Sequence, residues 1–203
     1  WTPSPDGDEN LLKEGIPPEK IQRIGNIMID SLEMMRGRIE KESTYSQFGL
    51  NQGEYGLVTL HRPANVDDPV QLRAICQVMQ RMLKKTKLVF PVHPRTRKNL
   101  DAFGLLKELE SNQNVYLTEP ISYVPFMNLV FNCRFVLTDS GGIQEETTYL
   151  GRPCLTLRPN TERPITVMQG TNKLCNLNNV DAYVKNILDN DKKEATAPDL
   201  WDG

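Results

Sequence analysis

The chain has 203 residues, 38% of them hydrophobic and 25% charged, a composition that fits a folded globular protein and excludes an intrinsically disordered one. Its 24 basic and 26 acidic residues give a net charge of −2, and the basic residues are scattered, which excludes a general nucleic-acid binder or a protein that binds anionic membranes. The sequence holds no apolar run near the roughly 20 residues of a membrane span and opens without a charged-then-apolar leader, so we expect a cytoplasmic protein.

Histidine and cysteine spacing predicts neither a metal site nor a disulfide framework. The two histidines, His61 and His93, lie on separate segments, and the four cysteines stand far apart without a C-x-x-C pair. We therefore expect buried thiols in a reducing compartment at Cys76, Cys133, Cys154 and Cys175.

Residues 1–53 are predicted to form a lead-in or hinge segment. A short helix is expected over 8–14 and a longer amphipathic helix over 27–42, followed by a polar connection. The segment lacks apolar residues for a core of its own, so we expect its longer helix to pack on the rest of the chain.

Residues 54–203 alternate short apolar runs with amphipathic stretches. The runs are near-continuously apolar, which is typical of parallel strands covered on both faces. They occupy residues 56–60, 87–92, 114–117, 135–138, 154–157 and 172–175.

Between these runs, helical spacing of apolar residues predicts the connecting helices. One follows the cap signal Asp67-Asp68-Pro69. Others are expected over 98–110, 123–132, 143–150 and 180–188. Repeated strand–helix–strand order predicts an α/β fold, a parallel sheet with right-handed crossovers and helices on its faces.

Polar side chains gather where the predicted strands end. Because ligands of open parallel sheets bind at the carboxyl ends of the strands, we expect the functional site there. The segments concerned are 61–65, 93–97, 139–146 and 158–164.

The turn Asp139-Ser140-Gly141-Gly142 opens a helix that carries Gln144, Glu145 and Glu146. Two glycines allow a ligand close to the backbone, and a helix N-terminus favours an anion, so a phosphate or diphosphate fits this turn. The two carboxylates, one helical turn further on, could accept ribose hydroxyl protons. The alternative is a plain strand-to-helix turn in which Asp139 or Ser140 caps the helix.

The other strand ends each carry a functional and a structural alternative. His61 and Arg62 could face an anion or form a capped loop with a solvated arginine. The basic segment 93–97 could bind a second phosphate or form a solvated basic turn. Arg163 could turn inward beside Glu162, or the two could form a surface salt bridge.

An aromatic segment, 123–126, offers a further candidate. Phe126 could form the floor for a flat ring, or the segment could belong to the core, where aromatic residues at helical spacing usually lie.

At these strings the sequence strongly resembles the non-hydrolysing UDP-N-acetylglucosamine 2-epimerases. The matching strings are VTLHR at 58–62, PVHP at 91–94, LTDSGGIQEE at 137–146 and RPNTERP at 158–164, with DENL at 8–11, GN at 25–26 and LWDG at 200–203. The resemblance implies two Rossmann-like domains in the GT-B arrangement, of which this chain is the second domain plus the hinge segment. The start at Trp1 and the apolar end at 200–203 fit that expectation of a longer parent.

By this resemblance the ligand is a UDP-sugar, and the reaction interconverts UDP-N-acetylglucosamine and UDP-N-acetylmannosamine by elimination of UDP and re-addition. No metal or nicotinamide cofactor is implied. The resemblance makes His61 the catalytic candidate, near the diphosphate. It assigns UDP binding to Phe126 at the uracil, Glu146 at the ribose, and Ser140, Gly141, Gly142 and Arg163 at the diphosphate.

Two differences from the family pattern bear on function. Many relatives have a glutamate where this chain has Ala64, which affects a possible allosteric UDP-sugar site for which Arg62 and His93 are the candidates. The family's acid/base carboxylates come from the first domain, which this sequence does not contain. We therefore expect the chain alone to bind UDP weakly and to be inactive, with the missing N-terminal domain and a second subunit of a homodimer as partners.

Two other functions remain open from the sequence. The chain could be the nucleotide-sugar domain of a GT-B glycosyltransferase, which needs an acceptor and releases UDP. It could instead be a non-catalytic UDP-sugar-binding module.

Overall fold

A computed structural model of the chain describes residues 1–190 and 197–203, and within them six strands form one parallel sheet. The strands are β1 (Tyr55–Thr59), β2 (Lys87–Pro91), β3 (Val115–Thr118), β4 (Phe135–Thr138), β5 (Cys154–Leu157) and β6 (Asn172–Cys175). Their order across the sheet is β3-β2-β1-β4-β5-β6, and each neighbouring pair is parallel. The predicted α/β class and the parallel, Rossmann-like sheet are therefore confirmed.

Ten α-helices connect or precede the strands within the described residues. They are α1 (Pro5–Lys13), α2 (Ile27–Lys41), α3 (Pro63–Val66), α4 (Pro69–Met82), α5 (Pro94–Ala102), α6 (Leu106–Glu110), α7 (Tyr123–Asn132), α8 (Gly141–Tyr149), α9 (Pro164–Met168) and α10 (Val180–Asp189). Short 3-10 turns occupy Pro18–Lys20 and Thr44–Phe48.

The single helix expected over 98–110 is wrong. The chain forms α5 and α6 instead, and Gly104 between them has φ +69°. That left-handed conformation ends a helix and is favoured by glycine. α3 and α9 were not predicted, because each spans at most five residues and begins with a proline in a loop-like sequence.

The four inner strands, β1, β2, β4 and β5, bury both of their faces, whereas the edge strand β3 is half-buried. In β1, Val58 packs with Leu72 and Ile75 of α4 on one face, and Leu57 packs with Leu32 of α2 on the other. Side chains alternate along a strand, so continuous apolar runs are needed to fill two cores.

The lead-in segment packs on the same sheet. Leu32 and Ile39 of α2 are fully buried in the second of these cores. At the chain ends, Trp201 is buried, and its indole Nε1 donates to the Pro3 carbonyl at 2.9 Å. The division of the chain at residue 53 stays a prediction.

None of the helices in the described part of the chain combines the length and the apolar character that a membrane crossing requires.

Candidate functional site

The candidate site lies where the strand order reverses direction. Chain connections run outward to β2 and β3 on one side of β1, and to β5 and β6 on the far side of β4. The last residues of β1 and β4 are paired, and the Thr59 and Thr138 hydroxyl oxygens lie 2.6 Å apart. A crevice at such a switch point is the usual ligand site of an open α/β sheet. The segments beginning at His61 and Asp139 both leave the sheet here.

Asp139 organises this crevice. Its carboxylate is fully buried and accepts from the His61 backbone N–H at 3.1 Å and the Arg62 backbone N–H at 2.9 Å. The Asn65 amide donates to it at 3.1 Å, and the His61 Nδ1 lies 2.8 Å from its Oδ1. Burial alone would raise the pKa of Asp139, but the bonds from His61, Arg62 and Asn65 hold it below its usual value.

The helix-capping alternative for Asp139 and Ser140 is wrong. Ser140 is the N-cap residue of α8, yet among the described residues its side chain makes no capping bond. The Asp139 carboxylate instead accepts hydrogen bonds from the loop after β1, as described above. The first turn of α8 therefore presents backbone N–H groups that a ligand could satisfy.

Gly141 and Gly142 face open space. A Cβ built on either residue would meet no other atom of the described chain within 4 Å, apart from neighbouring residues and the helix's own backbone. By contrast, a Cβ on Gly56 would lie 2.5 Å from Phe135, so packing requires that glycine. Packing within the protein does not require glycine at 141 or 142, and the space before them can admit an anion close to the backbone.

A pocket of about 270 Å³ lies at this crevice. The imidazole of His61 is 42% exposed, and its centroid lies 5.8 Å from that of His93. The pocket is lined by Thr59, Leu60, His61, Pro91, His93, Pro120, Ile121, Phe126, Ser140 and Ile143. Four of the predicted site residues, from four different segments, thus share one cavity.

Glu146 lies further along α8 and is buried. Burial raises the pKa of Glu146 to about 7, helped by the charge of Glu145 and opposed by a hydrogen bond from Tyr123. The Tyr123 hydroxyl donates to Glu146 Oε1 at 3.0 Å. A buried carboxylate with a single donor keeps acceptor capacity for further hydroxyl groups.

Arg163 turns towards Glu145, so the expected pairing with Glu162 is wrong. Its Nε lies 3.0 Å from Glu145 Oε1, which also accepts from the Asn26 amide at 3.0 Å. The Glu162 carboxylate instead binds the mostly buried Arg158 at 2.5 Å and 2.7 Å. The arginine is therefore ion-paired with α8, and its contact with Glu162 is a hydrogen bond from NH1 to the backbone carbonyl at 3.2 Å.

Gln144 connects the α8 turn to the Arg163 loop. Its fully buried amide donates to the Ser140 carbonyl at 2.9 Å and accepts from the Thr161 hydroxyl at 2.6 Å. The Thr161 hydroxyl oxygen accepts in turn from the Arg163 backbone N–H at 2.9 Å. Asn172 of β6 donates to the same Gln144 oxygen at 2.9 Å. These bonds fix the two loops relative to each other.

The segment at 93–97 forms a basic turn whose charges are matched. Arg95 pairs with Asp67, and Arg97 Nε lies 3.2 Å from Glu119. His93 is the N-cap of α5, where its Nδ1 accepts from the Arg95 backbone N–H at 3.2 Å. These ion pairs favour the solvated basic turn for Arg95 and Arg97, whereas His93 lines the pocket.

Arg62 points back to the site. Its Nε donates to the Asp139 carbonyl at 2.9 Å, and its NH2 lies 3.8 Å from Glu162.

In the described residues there is no group of three His, Cys, Asp or Glu side chains that could hold a metal.

Sequence reasoning assigned no role to four residues that shape the site. Asn65, Tyr123 and Asn26 hold Asp139, Glu146 and Glu145, and Gln144 joins two loops, as described above. The available signal was the adjacency of the strand ends: acceptors and donors on neighbouring strands meet at the same edge of the sheet.

Comparison with known proteins gives one consistent family. The family profile described as UDP-N-acetylglucosamine 2-epimerase matches residues 1–203. A UDP-N-acetylglucosamine 2-epimerase of Methanococcus maripaludis is 39% identical over 179 residues, which are 86% of this chain and 49% of that protein. A UDP-2,3-diacetamido-2,3-dideoxy-D-glucuronate 2-epimerase of Pseudomonas aeruginosa is 35% identical over 82% of this chain and 45% of its own length.

A crystal structure agrees with these sequence matches. The Methanocaldococcus jannaschii UDP-GlcNAc 2-epimerase, in complex with UDP-GlcNAc and UDP, superposes with a TM-score of 0.88 at 36% identity. The match covers 98% of this chain and 56% of that one. The chain thus spans about half the length of the relatives that it matches.

Proposed function

Because the chain belongs to the UDP-N-acetylglucosamine 2-epimerase family, we propose that it is the UDP-binding half of a UDP-sugar 2-epimerase. The whole protein then interconverts UDP-N-acetylglucosamine and UDP-N-acetylmannosamine. The family's solved structure with UDP-GlcNAc and UDP supports a uridine nucleotide as the ligand.

One observation carries the proposal: the open start of α8, beside the pocket that His61 and Phe126 line. Gly141 and Gly142 leave the backbone N–H groups accessible, and the helix dipole favours negative charge there. The diphosphate occupies this N-terminus, with the uracil against Phe126 and the ribose hydroxyls at Glu146.

The residues fit the chemistry of elimination. Breaking the anomeric C–O bond moves negative charge onto the departing diphosphate, and preorganised donors at that point lower the barrier. Gly141 and Gly142 supply backbone amides, Ser140 its hydroxyl, Arg163 a guanidinium, and His61 an imidazole at the pocket wall; the Ser140 amide itself donates to the Thr138 hydroxyl at 2.9 Å. The C2 proton leaves together with UDP, and the electron pair of that C–H bond forms the C1=C2 double bond of a glycal. A proton is then delivered to the opposite face of C2, and UDP re-adds at C1. That proton is handled by carboxylates of the half not present in this chain.

The sugar is specified less firmly than the nucleotide. The Methanococcus and Pseudomonas relatives are named for different sugars at similar identity to this chain. Both names share a UDP group, and the described site is fitted to a nucleotide. We therefore assign the choice of sugar chiefly to the other half of the protein and prefer UDP-N-acetylglucosamine on the family description.

Further parts of the proposal concern regulation and assembly. Arg62 and His93 bind a second UDP-sugar beside the active site, a role that Ala64 weakens because it replaces a glutamate. The missing N-terminal domain closes over the pocket, and two subunits form a homodimer. The four buried thiols support a reducing compartment such as the cytoplasm.

Two assays test the function. The whole protein, incubated with UDP-N-acetylglucosamine and no acceptor, should form the 2-epimer. A glycosyltransferase would leave the sugar unchanged until an acceptor is added. A binding module would bind UDP with native affinity in this chain alone and would produce no epimer in the whole protein.

A further inference from the structure

We propose that Asp139 is a positioning residue that holds the proton of neutral His61 on Nδ1 and leaves Nε2 as the ring nitrogen that acts in the pocket. The tautomer follows from geometry alone, and its purpose rests on the proposed function.

The contacts of Asp139 determine the tautomer. His61 Nδ1 lies 2.8 Å from Asp139 Oδ1, and an ionised carboxylate can only accept, so Nδ1 must carry the hydrogen. The other oxygen, Oδ2, accepts from the Arg62 backbone N–H at 2.9 Å and from the His61 backbone N–H and the Asn65 amide at 3.1 Å each. Together, the donors from His61, Arg62 and Asn65 fix the orientation of the Asp139 carboxylate.

His93 has the opposite tautomer. Its Nδ1 accepts from the Arg95 backbone N–H at 3.2 Å, so in the neutral ring the hydrogen is on Nε2. The two rings, with centroids 5.8 Å apart, thus present different nitrogens to a ligand. Neutral His61 offers an acceptor at Nε2 and neutral His93 a donor. A protonated His61 keeps Nδ1–H on Asp139 and offers Nε2–H to an anion.

The tautomers can be read by NMR without any nucleotide. The 203-residue chain is labelled with ¹⁵N, and long-range ¹H–¹⁵N spectra of the imidazoles are recorded at a pH where both rings are neutral. With two histidines in the sequence, a His93→Gln spectrum assigns both. We expect the Nδ1–H pattern for His61 and the Nε2–H pattern for His93.

Asp139→Asn should reverse one tautomer. The single oxygen of asparagine keeps the three N–H donors now at Oδ2, which turns the amide nitrogen towards His61 Nδ1. Two donors cannot face each other, so His61 should switch to Nε2–H while His93 stays unchanged. Asn65→Ala is the matched control: it removes one donor to Asp139, leaves the His61 contact, and should change neither ring.

An Nε2–H pattern for His61 in the unmodified chain overturns the proposal, even if Asp139→Asn fails to fold. So does a folded Asp139→Asn chain with an unchanged His61. UDP titrations then separate the tautomer from its purpose. We expect Asp139→Asn to weaken UDP binding up to about tenfold, because the switched ring offers the diphosphate a neutral Nε2–H in place of the stronger charged hydrogen bond from a protonated His61. If Asp139→Asn switches the His61 tautomer but leaves UDP affinity unchanged, the role of His61 at the diphosphate is overturned. If the unmodified chain does not bind UDP, the proposed function alone is overturned and the tautomer assignment stands.

Discussion

At the scale of single residues, substitutions at Gly141 and Gly142 should lower ligand affinity without lowering the free energy of unfolding. Both are the first residues of a helix, where alanine is a better helix former than glycine, and neither Cβ would meet another part of the described chain. We predict that Gly141→Ala or Gly142→Ala keeps or raises the free energy of unfolding, by up to about 1 kcal/mol, because nothing in the fold is displaced. UDP affinity should fall at least about tenfold, because the methyl group occupies the space before the amides.

Gly37→Ala in α2 is the matched control, since its Cβ also meets nothing within 4 Å in the described chain. It should change stability in the same direction and leave UDP affinity alone. Calorimetric titration with UDP and denaturant unfolding measure the two quantities. Unchanged UDP affinity in both α8 variants would contradict a diphosphate at this turn.

Glu146 predicts a pH dependence of stability. The pKa of Glu146 is about 7 in the folded chain against a reference value of 4.5. Between these values the folded chain retains a proton that the unfolded chain releases, so stability falls as pH rises through this window. The loss is at most about 3 to 4 kcal/mol, from about 1.36 kcal/mol for each of about 2.5 pKa units. Glu146→Gln should abolish this slope, be more stable than the parent at pH 8, and bind UDP more weakly.

Thermal unfolding between pH 4 and pH 8 measures this slope. Tyr123→Phe is the companion variant, because loss of the Tyr123 hydrogen bond should raise the pKa of Glu146 further and steepen the fall in stability. A Glu146→Gln chain with the same pH slope as the parent would disprove the assignment.

Single-residue roles were harder to predict than the location of the site. The local alternative for Asp139 was a cap on α8, but its carboxylate binds residues 74 to 78 positions away. Arg163 was expected to pair with its sequence neighbour, but it reaches Glu145 on another element. Sequence spacing shows which polar residues reach the edge of the sheet. Which donor meets which acceptor depends on loop paths that only the folded chain defines.

At the scale of elements, the buried amide of Gln144 joins the start of α8 to the loop before α9. Gln144→Leu leaves the Thr161 hydroxyl, the Ser140 carbonyl and part of the Asn172 amide without this partner. We predict a loss of at least about 2 kcal/mol in the free energy of unfolding, since unsatisfied buried polar groups cost 1–3 kcal/mol each.

UDP affinity should also fall in Gln144→Leu, because Arg163 loses its fixed position. Thr161→Val removes the hydroxyl that links Gln144 to the Arg163 backbone and keeps the bond from Asn172 to Gln144. It should therefore weaken UDP binding with a smaller loss of stability. Denaturant unfolding and UDP titration of both variants test this. Full UDP affinity in a folded Gln144→Leu chain would show that the connection is purely structural.

The elements themselves were largely predictable. All six strands lie where the predicted runs stand in the sequence, and the inner strands are near-continuously apolar because each of their faces is buried. The edge strand β6 carries the exposed Lys173, so its run is not continuously apolar. The break at Gly104 was missed, since apolar spacing continues across it and one glycine does not reveal its φ angle. Helices of four or five residues carry too few periods to be recognised.

At the scale of the whole molecule, the chain spans about half of its relatives' length and, on the proposed function, contributes the nucleotide site. We predict that the chain alone binds UDP but does not exchange the C2 proton of UDP-N-acetylglucosamine with solvent. The reason is that the carboxylates for that proton are expected in the other half. Proton NMR of the sugar in D₂O measures the exchange. Loss of the C2 signal with this chain alone would contradict the assignment of this proton transfer to the other half of the protein.

The measurement that tests the central claim most directly is an amide titration of the ¹⁵N-labelled chain with UDP and, separately, with uridine. If the Gly141 and Gly142 amides and the Ser140 hydroxyl bind the diphosphate, the amide signals of these three residues shift strongly with UDP and stay nearly in place with uridine. Signals near Phe126 and Glu146 should respond to both ligands. Equal shifts of the three amides with UDP and uridine, or strong UDP-dependent shifts elsewhere with none at these amides, would contradict the account.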